Sequence, residues 1–260
     1  MDLFVSLFVV AATAPATEAN ESTEDASCPA GAGEPSDPSS APEAAEVPGA
    51  FLPRSLAELR RIFQGPPAGI IAFTISALTS PFLVCTVVGA ALAVRFATSW
   101  REVLVWGGLA ALFAGVIPFA VVMLLMQRGR VSDIHVAERE RRWIPFGAAV
   151  LSGALAIVAL HLLRTPRDLQ ALAAAYLLNA AAFGLVSRYW KISAHTGVYS
   201  GAFAACGMAL NAWWWAALVA IPLVVWARTQ RGRHTIAQGL AGAGMATALT
   251  VLAYRVLAGP

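Results

Sequence analysis

The sequence predicts an all-α, polytopic membrane bundle of about seven helices (six to seven) that carries a disordered N-terminal tail. Three observations predict it. The 260 residues are 58% hydrophobic and 13% charged, whereas soluble domains hold roughly 45–50% apolar and about 25% charged residues. The apolar residues are gathered into long, almost uncharged runs. The net charge of +3 is divided unevenly: nine of the fifteen acids and no Lys or Arg lie in residues 1–50, and all eighteen basic residues follow.

Residues 1–50 form the tail. Positions 13–50 are rich in Ala, Pro, Glu, Ser, Thr and Gly with no aromatic residue, a composition that cannot bury enough apolar surface to offset its ordering entropy. Before it, the ten-residue apolar run at 3–12 has the length of a signal-peptide core, although Asp2 stands where a positive charge is usual and Pro15 follows the first Ala-x-Ala site. Residues 51–68 differ. Ser55 and Glu58 have capping-box spacing, and Leu56, Leu59, Ile62 and Phe63 share one helical face. Arg54, Arg60 and Arg61 can then face lipid phosphates from an interfacial helix. An ordinary amphipathic helix against protein fits the same pattern.

The membrane-embedded domain is 69–260. Its apolar stretches run over 69–94, 103–126, 144–163, 169–186, 196–210, 212–226 and Ile236–Leu257. A helix needs roughly 20 apolar residues, about 17 at the low end, to cross the hydrocarbon core. The fifth and sixth are short and meet at Asn211, beside Trp213, Trp214 and Trp215, which suit an interfacial aromatic belt. Pro81 and Pro222 are candidate kinks. Gly239, Ala243 and Thr247 give the last helix a small-residue stripe for close packing.

Seven crossings sort the connections onto two faces. One receives the amphipathic segment and the loops at 127–143, 187–195 and 227–235, with thirteen basic residues and His135, His195 and His234. The other receives five basic residues. Long uncharged runs between the basic groups exclude a nucleic-acid surface. Three scattered cysteines make neither a disulfide framework nor a zinc site; Cys85 and Cys206 sit in apolar runs as small hydrophobes.

The loops of the basic face carry the chemistry. In Tyr189-Trp190-Lys191-Ile192-Ser193-Ala194-His195, a Ser and a His stand where a loop enters a helix, so backbone N–H groups point at any bound anion. In the next loop His234 opens the last helix, with Gln238 one turn on and Arg228 six residues upstream. Gln238 is placed to accept from His234 Nδ1–H and leave Nε2 free, and Arg228 to fork onto a phosphate. The loop at 127–143 adds Arg128, Arg130, His135, Arg139, Arg141 and Arg142. Any one of these alone reads as an interfacial anchor. Together, two histidines among arginines suit phosphoryl transfer without metal or other cofactor. Asp133 and Asp168 are the only Asp residues after residue 50, so a Mg²⁺-diphosphate site is a poor fit.

These three loops resemble the motifs K-x6-R-P, P-S-G-H and S-R-x5-H-x3-D of the type 2 phosphatidic acid phosphatase/haloperoxidase superfamily. Ser193-Ala194-His195 stands at the second, with Ile192 for its proline and Ala194 for its glycine. Arg228 and His234 stand at the third, with Ala227 for its serine and Gln238 for its aspartate. At the first, Arg142 stands for the arginine, Pro145 comes two places late and His135 holds the lysine position; Arg139 or Arg141 serves as well as Arg142. The resemblance spans roughly residues 80–257. It implies His234 as nucleophile, His195 as general acid, Gln238 in the orienting position, and Arg228, Arg142 and Ser193 as phosphate ligands, with Arg139 and Lys191 beside them. The implied partners are membrane lipids, and the substrate is a lipid phosphate or polyprenyl diphosphate. A neutral amide at 238 stabilises an imidazolium less than a carboxylate does, a loss on the order of a few kcal/mol in the barrier. A silent relative that binds anionic headgroups is therefore the alternative. A small transporter is weaker, since no intramembrane carboxylate or inverted repeat supports it. Location is the cell membrane. Eight of the thirteen bases flank the phosphate loops and so carry no topological weight, and a cleaved signal would place the motif face outside, the orientation expected here.

Overall fold

A computed structural model describes residues 65–131 and 143–259. The acidic tail, positions 51–64 of the amphipathic segment, Cys28, His135, Arg139, Arg141 and Arg142 lie outside these residues. The described residues are helical without strands. Five helices are long and apolar enough to cross a membrane, or six if one bent pair counts as a single span.

The first expected span is that bent pair, α1 (Pro67–Leu78) and α2 (Pro81–Phe96), which meet at 49°. Pro81 is the cause. It has no N–H to continue the ladder and holds Ser80 extended, at φ −57 and ψ 130. The long α3 (Trp100–Gln127) opens on Ser99, whose hydroxyl accepts from Glu102 N–H at 3.3 Å, while Glu102 accepts from Thr98 N–H at 2.6 Å. It widens to a π-helical turn at Ala111–Val116 just before Pro118; Ser152 of α4 donates to the carbonyl of Phe113 within that turn. Then come α4 (Trp143–Leu162) and α5 (Arg167–Ser187).

The next helix, α6 (Ala194–Ala209), corresponds to the short fifth run and is not among the helices long enough to cross by themselves. Its 16 residues extend about 24 Å against roughly 30 Å of hydrocarbon. It is the buried centre of the bundle, with His195, Thr196, Gly197, Ser200, Gly201, Ala202, Ala204, Ala205 and Cys206 all buried. A helix that meets only protein has no need of a lipophilic surface, which is why its residues are small or hydroxylic. It packs most closely on α8 (Ile236–Leu257). Thr196 Oγ1 donates to the Gly239 carbonyl at 2.8 Å and Ser200 Oγ to the Ala243 carbonyl at 2.9 Å. The close face of α8 is Gly239, Gly242, Ala243, Ala246 and Thr250. Thr247, expected in that stripe, is only half-buried, because the true stripe turns with 3.6 residues per turn.

Between them α7 (Ala212–Gln230) begins as a 3-10 helix and becomes α-helical at Ile221, beside Pro222. Asn211 caps it, accepting from Trp213 N–H at 2.9 Å. Of the expected Trp belt, Trp213 is 84% exposed, whereas the Trp215 ring fills the notch left by Gly207.

Two apolar clusters show how the helices alternate. One gathers Leu92, Trp106, Leu160, Leu169 and Cys206, which are the end of α2, start of α3, end of α4, start of α5 and end of α6. The other joins Phe146, Phe183, Ile192 and Ala194 at the opposite helix ends. Leu78, Val94, Leu104, Leu151, Leu185, Val219 and Val256 face outward. Small residues inside and large apolar ones outside is the pattern of helices in lipid.

Candidate anion site at one end of the bundle

The loops at 187–195 and 227–235 converge as expected. Ser193 N–H donates to the Gln238 carbonyl at 3.3 Å, and His234 Nδ1 lies 3.4 Å from the carbonyl of Lys191. A carbonyl only accepts, so this contact favours the tautomer with the hydrogen on Nδ1 and the lone pair on Nε2.

The end of α7 sets the geometry. Gly232 has φ +62, Gly232 N–H donates to the Thr229 carbonyl at 2.8 Å, and Arg233 N–H to the Arg228 carbonyl at 3.0 Å. These are the two bonds of a Schellman motif, which needs a left-handed residue best supplied by glycine. The motif folds Arg233 back beside Arg228 and delivers His234 one residue later. Thr235 then starts α8 with a capping box: its hydroxyl accepts from Gln238 N–H at 3.3 Å, and Gln238 Oε1 accepts from Thr235 N–H at 3.1 Å.

A cavity of about 300 Å³ runs from this point into the bundle. Lys191, His195, Arg228, Arg233 and His234 line one end. Arg228 is 1% exposed and His195 2%. Past them the wall is mostly apolar, with Phe82, Phe113, Val122, Phe146, Tyr176 and Phe183 among its residues. Burial, and then the charges of Arg228 and Lys191, push the His234 imidazole down to about 3, against the Lys191 carbonyl and the Gln238 side chain, which favour the charged form. The ring is neutral at physiological pH.

Of the residues expected from sequence, Lys191, His195, Arg228 and His234 share this cavity. Ser193 and Gln238 stand behind its wall. The Ser193 side chain is fully buried, does not cap α6, and its Oγ has no hydrogen-bond partner among the described residues. Gln238 Oε1 is engaged in the helix cap, and it is the Lys191 carbonyl that faces His234 Nδ1, the position expected of Gln238. Arg142 and Arg139 lie outside the described residues; Pro145, three residues past Arg142, lines the cavity. Arg233 is the site residue that sequence reasoning left out. Its signal was Gly232, which marks the helix end and turns the following residue inward. Cys206 is buried as expected, while Cys85 is half-buried on the cavity wall. No group of three metal-ligating side chains occurs among the described residues. Neither family models nor curated proteins nor solved structures match this chain.

Proposed function

We propose that this protein is a multi-pass membrane phosphatase for a lipid phosphate or polyprenyl diphosphate, a divergent member of the type 2 phosphatidic acid phosphatase/haloperoxidase superfamily. One observation carries the reading: two imidazoles, two guanidiniums and an ammonium line one end of a cavity that is otherwise apolar. Such a site takes an anionic head and an apolar body. His234 Nε2 attacks phosphorus as the bond to the leaving oxygen breaks, and His195 gives that oxygen a proton. Water then cleaves the phosphohistidine and releases inorganic phosphate. Arg228, Arg233 and Lys191 offset the charge on the phosphoryl oxygens, with Arg142 or Arg139 completing the set from the preceding loop. Counting α6 as a crossing gives seven, and the motif face lies outside the cell membrane.

A second reading has its own support. Gln238 carries no charge and is engaged in the α8 cap, which suits a protein that holds an anionic headgroup without cleaving it. Purified protein offered phosphatidic acid or undecaprenyl diphosphate, with chelator present, separates the two. Phosphate release that disappears in His234→Ala supports the enzyme; binding without release from either lipid supports the second. Gln238→Asp introduces an acid, which the first turn of a helix favours, and is expected to raise release at least tenfold over wild type. Ser132→Cys labelled by an impermeant reagent in intact cells tests the orientation, and protection there reverses it.

A further inference from the structure

The cavity is much longer than a headgroup needs. Its lining follows α5 from Ser187, beside the cationic end, to Leu169. Eighteen residues of helix measure about 27 Å, most of the hydrocarbon thickness. The lining between its two ends is almost wholly apolar, from Phe82, Phe113 and Val122 to Tyr176 and Phe183. At the far end Trp106, Leu160, Leu169 and Ala173 line the cavity and belong to a tightly buried cluster with Leu92 and Cys206. Charge is confined to the opposite end.

We propose that this cavity is a pocket for a hydrocarbon chain, whose floor at Trp106, Leu160, Leu169 and Ala173 sets the longest chain that binds with its anionic head among Arg228, Arg233 and His234. The inference rests on the anionic-lipid part of the function proposed above, and holds whether the headgroup is cleaved or only bound. Its chemistry is that of transfer from water. Each methylene entering the pocket strengthens binding about fourfold, until the chain end meets the floor. Beyond that length further carbons must bend or stay outside, and affinity stops rising. Ala173 has only a methyl to offer, so a larger side chain there raises the floor; Leu160, trimmed, lowers it.

The test is the affinity of n-alkyl phosphates of increasing length for the full chain, in a bulky steroid-based detergent too wide for the pocket. Wild type is expected to gain affinity with length and then reach a limit. Ala173→Phe is expected to move that limit to chains several carbons shorter while leaving octyl phosphate bound as in wild type, which also reports that the variant is folded. Leu160→Ala is expected to move it the other way. An unchanged limit in both variants, with octyl phosphate still bound, overturns the pocket, as does affinity that rises through all lengths without a limit. Uncharged n-alcohols that show the same limit and the same affinities would keep the pocket and remove the phosphate reading. No binding of any chain, charged or neutral, overturns the pocket by itself, and phosphate release from long-chain lipids then still tests the function separately.

Discussion

Two helices of this protein end in the same tripeptide. Arg128-Gly129-Arg130 closes α3 and Arg231-Gly232-Arg233 closes α7. The backbones are nearly identical: Gly129 has φ +61 and Gly232 +62, Arg130 N–H donates to the Leu125 carbonyl at 2.9 Å, and Arg233 N–H to the Arg228 carbonyl at 3.0 Å. The side chains differ completely. Arg128 and Arg130 are exposed, whereas Arg233 is 7% exposed and lines the cavity. Local sequence therefore fixes the turn and not its use. The first end is followed by Val131, which packs into a small cluster with Leu125. The second is followed within two residues by the α8 cap, which draws Arg233 and His234 under the loop at 188–193. A charge buried that deeply must be matched by surrounding dipoles or charges, whereas the exposed Arg128 and Arg130 have water for that purpose.

The largest contrast is expected from the arginines themselves. Arg228→Met keeps the volume and removes the charge, and should weaken octyl phosphate binding about 100-fold, the scale seen when a buried electrostatic donor is removed. Arg233→Ala should cost about tenfold, and Arg130→Ala less than twofold, since an exposed arginine is screened by solvent. A calorimetric titration of the three variants measures all of this. Equal losses in Arg233→Ala and Arg130→Ala would mean that the two ends serve alike and that burial confers nothing.

The glycines give the next contrast. A Cβ at either position meets no atom within 4 Å, so alanine is opposed only by the left-handed backbone, at about 1 kcal/mol. Gly129→Ala and Gly232→Ala should therefore lower stability alike in a melting experiment in detergent. Only Gly232→Ala should weaken anion binding, by about tenfold, because the turn holds Arg228, Arg233 and His234 in register. Loss of binding in Gly129→Ala would extend the site to the end of α3.

How much of this was legible in the sequence follows from the same pair. Apolar runs showed four of the long helices and also α8, whose run at Ile236–Leu257 coincides with the helix, although Thr235 rather than His234 caps its start. The break at Ser80 was legible as Pro81, although its size was not. The run at 196–210 marks α6 because Ala and Gly count as apolar in any window; that the helix lies at the centre of the bundle depends on Thr196 and Ser200 finding carbonyls on α8, and such pairings are set by tertiary packing. At the site, spacing brought out His195, Arg228 and His234, since motif order survives folding. That Ser193 and Gln238 stand behind the wall, and Arg233 on it, depends on the Schellman turn and the capping box acting together.

The smallest effect, and the one that best tests whether His234 and the arginines act as one site, is its response to pH. The imidazole is held near 3 in the fold against an ordinary 6.5. A histidine depressed in this way favours the folded state fully above pH 6.5, where neither state is protonated. Between 6.5 and about 3 the unfolded chain takes up a proton that the folded one refuses, so stability falls as acid is added. The melting temperature of wild type should accordingly drop more steeply between pH 7.5 and 4.5 than that of His234→Gln. A bound anion reverses part of the repulsion from Arg228 and Lys191 and raises the pKa of the ring, so binding takes up protons and must strengthen as pH falls. An alkyl sulfonate keeps one charge throughout this range and isolates the protein's contribution. It should bind severalfold more tightly at pH 4.5 than at 7.5, and His234→Gln should remove the gain. If the gain survives that substitution, the proton goes elsewhere, and His234 is not the group facing the anion. If Arg130→Ala removes it, the two helix ends share one electrostatic field, and the division between them is one of exposure alone.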